Sequence, residues 1–235
     1  MNPASIKEAA WRVEEQLDGL GLNLVINNAG IFCNTSLAMV DSEEMLGAYK
    51  TNVVEPMLVG QHTTGAVRCS ALLLTQQTPR EPPMTTDSVK AFLPLLKKAA
   101  QGSSQNGLSC SKAAIVNISS FMGSIGRVPE TFSVPAISYH CSKEPRTRGS
   151  LLRPSRTLPM RAALNMLTRC QALSYAEDGV LCTAVHPGWV KTDMGTQEAH
   201  LPVDESVRGI LAVLPTLSEK HSGSLWSWTG KTIPW

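Results

Sequence analysis

No apolar run in this sequence is long enough to cross a bilayer. The longest, such as 22–26 and 113–118, fall far short of the roughly 20 residues a spanning helix needs, so no membrane association is expected. An excess of one charge is also missing. Lys and Arg number 21 against 19 Asp and Glu, net +2 over 235 residues, which leaves no whole-chain footprint for nucleic acid. The six cysteines, at 33, 69, 110, 141, 170 and 182, contain no CxxC pair. That excludes a disulfide framework or zinc site, and fits reduced thiols in a cytoplasmic protein. Met1 runs straight into a helix start at 2–5, without a basic and then apolar leader, so no signal peptide is expected. What is present is 43% hydrophobic and 17% charged residues, enough to bury a core. The length fits a single domain over 1–235.

Hydrophobic spacing supplies the element order. Residues 2–18 read as an amphipathic helix with Asn2 at the N-cap, Pro3 at N1 and Gly19 closing it. Residues 22–26 read as a short buried strand. A helix is expected from Asp41 or Ser42, with Met45, Tyr49, Val53 and Met57 as its apolar stripe. A helical run begins at Ala91, and 113–118 is a strand covered on both faces. Helix 162–176 and strand 180–185 come next, the strand halted by Pro187-Gly188. Alternating helices and strands predict parallel βαβ units in an open α/β sheet.

Two stretches break the rhythm. Residues 62–90 are rich in Thr, Gln and Pro. Residues 144–161 carry five arginines, three prolines and one acid, and interrupt a helix that would otherwise run from Ser142-Lys143 into Ala162-Ala163-Leu164. Both are expected to be irregular inserts. The arginines 146, 148, 153, 156 and 161 read as a solvated loop rather than a nucleic-acid tether, because no aromatic platform accompanies them.

Four motifs stand where ligands bind open α/β sheets, at the carboxyl ends of strands. Asn27-Asn28-Ala29-Gly30 is either a close-approach turn or an ordinary strand ending. Ser119-Ser120 is either a cap or a polar group facing a ligand. Tyr139 and Lys143 lie one helical turn apart. They are either a solvated pair, or a phenol whose pKa an ammonium lowers toward use as a general acid. His186–Thr192 stands after the last strand with a Pro-Gly reversal. His140, Cys141 and His186 read as structural, and no metal-ligand spacing is present.

The order of these motifs, with Asn52 between the first two, resembles the classical short-chain dehydrogenase/reductases, and within them the sniffer and C-signal-like carbonyl reductases. The resemblance covers nearly the whole chain outside the two inserts. It implies a Rossmann-like doubly wound parallel sheet and reduction of a small ketone or aldehyde with NADPH as cofactor. The implied catalytic residues are Ser120, Tyr139, Lys143 and Asn52. Ser120 would polarise the carbonyl and Tyr139 would give it a proton. Lys143 would lower the tyrosine pKa and hold the nicotinamide ribose, and Asn52 would support a proton-relaying water. Asn27, Ala29, Gly30, Tyr139, Lys143, Val190 and Thr192 are the implied cofactor contacts. A homo-oligomer is the implied assembly.

One family feature is missing. None of the 17 glycines forms the TGxxxGxG turn that holds pyrophosphate at a helix N-terminus. The chain is therefore expected to lack the first βαβαβ portion, about 60 residues, and to leave a central strand edge open. The alternative function is that of an inactive, truncated relative that acts only through protein interaction or does not fold stably.

Overall fold

The computed structural model describes residues 3–30, 42–60, 72–73, 91–127, 158–195 and 197–235. Helix α1, Pro3–Gln16, turns Ile6 and Ala10 inward and leaves Trp11 in solvent. It ends at a reversal in which Asp18 and Gly19 both take positive φ. Strand β1, Leu24–Asn27, starts two residues later than the apolar run, because Leu22 gives its N–H to the Leu95 carbonyl instead. Beyond β1 the chain forms α2, Ser42–Tyr49, a π-helical segment, Lys50–Val54, and α3, Glu55–Val59.

The π segment explains why the expected stripe fails. Even four-residue spacing would bury Tyr49 with Val53. A π turn takes in an extra residue and rotates the helix beyond it, so Tyr49 is exposed while Asn52 and Val53 are buried.

Strand β2, Leu72–Leu73, lies inside the first insert and pairs in parallel with β1, Val25 opposite Leu72 and Ile26 opposite Leu73. This two-residue strand is the regular part of the insert among the described residues, and it covers Val25 and Ile26, the middle of the β1 edge expected to stand open. Helix α4, Leu93–Gly102, then leads to β3, Ala114–Ile118, buried throughout. Helix α5, Leu158–Ser174, starts four residues before the expected boundary and so takes in the end of the second insert. Strand β4, Leu181–His186, helix α6, Val203–Val213, and strands β5, Leu225–Ser227, and β6, Thr232–Ile233, complete the described elements.

The sheet order is β2-β1-β3-β4-β5-β6, parallel except for β6. Because side chains alternate along a strand, the register divides the sheet into two faces. Val25 and Ile115 pack with α1, α4 and Ala172 of α5. Ile26, Val116, Leu181 and Val185 pack with the end of α6 and Leu217. Helices on both faces of a mostly parallel sheet make this the doubly wound α/β architecture. Among the described residues Cys110, Cys170 and Cys182 are free, and burial pushes the Cys110 thiol up to about 12. No helix among them is long and apolar enough to cross a membrane.

Candidate functional site

The carboxyl ends of β1 and β3 are joined to α5 by a buried polar chain. Asn27 donates from Nδ2 to Asn117 Oδ1 at 2.7 Å. Asn117 in turn donates to Thr168 Oγ1 at 2.8 Å and Gln171 Oε1 at 2.9 Å. Thr168 Oγ1 donates its own hydrogen bond to the Leu164 carbonyl at 2.8 Å. Buried amides left unpaired are costly, so this chain fixes the distance and rotation of α5 against the strands. Asn27 thereby commits its side chain to the scaffold, and what the motif 27–30 turns outward is the exposed Asn28 with the half-buried Ala29 and Gly30.

The second clamp positions Ser120. Ser119 donates to Asn165 Oδ1 at 2.5 Å, and Asn165 donates to the Gly123 carbonyl at 3.1 Å. Gly123 ends the short 3-10 turn Phe121–Gly123, for which Ser120 is the N-cap, its Oγ accepting the Met122 N–H at 3.2 Å. A Cβ on Gly123 would lie 2.6 Å from the backbone carbon of Arg161. Only glycine lets the turn approach α5 so closely. Ser120 is therefore half-buried at the end of β3, held from both sides.

Asn52 is fully buried in the π segment. Its Oδ1 lies 3.1 Å from where a Cβ on Gly30 would stand, and Arg161 Nη2 lies 2.8 Å from the same point. Arg161 is 6% exposed and donates from Nη1 to the Ile118 carbonyl at 2.6 Å. This overturns the reading of its side chain as part of a solvated loop. Its residue type does not separate it from the other four arginines of that stretch; what does is its place in α5, packed against Gly123 and Gly30.

Beyond β4, Gly188 takes φ +88°. Val190 bridges to Leu201, and Thr192 Oγ1 accepts the Gly195 N–H at 3.0 Å and donates to the Val190 carbonyl at 3.4 Å. His186, at the end of β4, packs its ring 4.8 Å from that of Phe121. Its buried Nδ1 has no hydrogen-bond partner among the described residues. Burial first, and the Arg127 charge second, hold its imidazole down at about 4, so it is neutral at physiological pH. Tyr139 and Lys143, with His140 and Cys141, lie outside the described residues.

The comparisons with known proteins agree with this architecture. No family model matches the chain. The NADPH-bound carbonyl reductase from chicken fatty liver is 43% identical, with a TM-score of 0.74 over 100% of this chain and 71% of that one. The carbonyl reductase Sniffer of D. melanogaster is 26% identical, with a TM-score of 0.72 over 100% of this chain and 75% of that one. The C-signal of Myxococcus xanthus is 43% identical over 75 residues, which span 32% of this chain and 45% of that protein. The chain belongs to the short-chain dehydrogenase/reductases. Within them it falls in the carbonyl reductase subgroup of the sniffer and C-signal type.

Proposed function

We propose that this protein is an oxidoreductase that reduces a small ketone or aldehyde with NADPH. The observation that carries the reading is the gathering of Gly30, Asn52 and Ser120 at the carboxyl ends of adjacent parallel strands, where open α/β sheets bind ligands. The residues there fit a nicotinamide nucleotide. At Gly30 a guanidinium donor and a carboxamide acceptor converge on bare backbone, a pairing suited to ribose hydroxyls. Gly30 and Ala29 would line the ribose side, with backbone at Asn27 and Val190 and the hydroxyl of Thr192 as further contacts. The bound nucleotide supplies the hydride.

The chain's own part is position and protons. Ser120 Oγ already accepts the Met122 N–H, so its own hydrogen is the one to turn toward a substrate carbonyl, orienting it and stabilising the developing alkoxide. Tyr139 gives the alkoxide its proton, its phenol made more acidic by the Lys143 ammonium. Asn52 supports the water that returns that proton.

The test is NADPH consumption by the purified chain against a panel of ketones and aldehydes, with Tyr139→Phe beside it. The expected outcome is turnover that falls on the order of a hundredfold or more in the variant. Equal rates for the two proteins would remove Tyr139 from the chemistry. A chain that binds NADPH yet oxidises none of it with any carbonyl would leave a binding relative in place of an enzyme.

A further inference from the structure

Were residues 144–161 absent, Lys143 would stand immediately before Ala162. In this chain the residue at that helical position is Arg161. Helix α5 begins at Leu158, so Arg161 already has helical geometry and moves with the rest of α5. That helix is pinned to β3 through Asn165, Thr168 and Gln171. The side chain reaches across two strand ends, with Nη1 on the Ile118 carbonyl of β3 and Nη2 beside Gly30 beyond β1, next to Asn52. Gly30 and Ala29 are only half-buried, so the chain meets solvent here.

We infer that Arg161 is the cofactor-binding cation of the site, holding ribose hydroxyls of the nicotinamide nucleotide from the helix position that Lys143 would otherwise take; this rests on the cofactor reading above. A guanidinium offers five N–H donors in a rigid plane. One of its nitrogens is anchored by Ile118, which aims the other along the strand ends toward Gly30. Permanently protonated, it holds a ligand but passes no proton. Arg161 is thus a binding residue, and the proton stays with Tyr139. The residue four before Arg161 in the sequence is Thr157, which has no acidity near neutrality. The sequence here therefore repeats the cation and not the phenol that precedes Lys143 by the same spacing.

The experiment is titration of the full chain with NADPH, read by calorimetry, with melting temperatures recorded without cofactor. The variants are Arg161→Gln, Arg161→Lys, Lys143→Gln and, as a control, Arg169→Gln. Arg169 lies two turns along α5, in a cleft with Gly107, Lys112 and Gly179 at the opposite end of the strands. Arg161→Gln is expected to raise the NADPH Kd about tenfold or more, with a smaller rise for Lys143→Gln and none for Arg169→Gln. Arg161→Lys keeps the charge but loses the planar fork, and is expected to raise the Kd by about threefold or more. It decides the matter if the glutamine variant does not fold. An Arg161→Gln protein that melts lower but binds NADPH as wild type has lost only scaffold, and the inference is wrong. A larger effect at Lys143 than at Arg161 overturns it too. Wild-type protein that takes up no NADPH at millimolar concentration defeats the cofactor reading itself, and this inference with it.

Discussion

One face of the sheet is built in two different ways at its two ends. Toward the amino ends it presents Val25 and Ile115, and α1 and α4 cover them with Ile6, Ala10, Phe92, Leu96 and Ala99. Two residues further along the same strands the face presents Asn27 and Asn117, and α5 meets them with Thr168 and Gln171. The apolar end is non-directional and tolerates small shifts at modest cost. The polar end is directional, and Asn117 loses its bonds to Thr168 and Gln171 if α5 slides or rotates. A fold that only needed stability would carry the apolar pattern through. The change to amides falls beside Ser120, Asn52 and Gly30, so directional packing is concentrated at the end where we propose the nucleotide binds.

Substitutions should separate the two ends. Phe92→Ala, at a fully buried position in the apolar half, is expected to cost about 3–5 kcal/mol of unfolding free energy. The NADPH Kd of the protein that remains folded should not move; chemical denaturation and titration check the pair of results. Next in size is a pH effect at His186. Its ordinary value is 6.5 and the folded protein holds it at about 4. Between these the unfolded chain binds a proton that the folded chain refuses. Stability should therefore fall as pH drops through that window, by up to about 3 kcal/mol. Melting curves from pH 7.5 to 4 should lose that part of their slope in His186→Gln.

Asn117→Ala strands the Asn27 amide and Gln171 Oε1 and should cost about 1–3 kcal/mol. Unlike Phe92→Ala, it should also weaken NADPH binding by loosening α5. The smallest effect belongs to Ser119→Ala, about 1 kcal/mol for the lost bond to Asn165, with turnover more affected than NADPH binding because Ser120 is the group released. Equal binding effects from Phe92→Ala and Asn117→Ala would abolish the contrast between the ends.

The apolar end was the legible one. Strands β3 and β4 show as continuous buried runs, and α1 shows as three- and four-residue spacing closed by Gly19, because burial leaves a local pattern. Ser120, Asn52 and the turn after β4 were legible only through the order of their motifs. The polar chain has no local signature, since Asn117 finds its partners 51 and 54 residues away. Strand β2 is two residues in a Thr-, Gln- and Pro-rich stretch, too short to show a period. The π segment breaks the helical repeat on which the Met45–Met57 stripe depended. Arg161 was hidden by composition: five arginines near one another read as one solvated stretch, and only the close packing of Gly123 and Gly30 around α5 singles out one of them.

The central claim, that these strand ends form a nicotinamide nucleotide site, is tested most directly by thermal unfolding of the full chain with and without NADPH. At a concentration 100 times the dissociation constant, binding to the folded state alone adds about 2.7 kcal/mol, and the melting temperature should rise accordingly. A melting temperature unchanged at millimolar NADPH would contradict the claim.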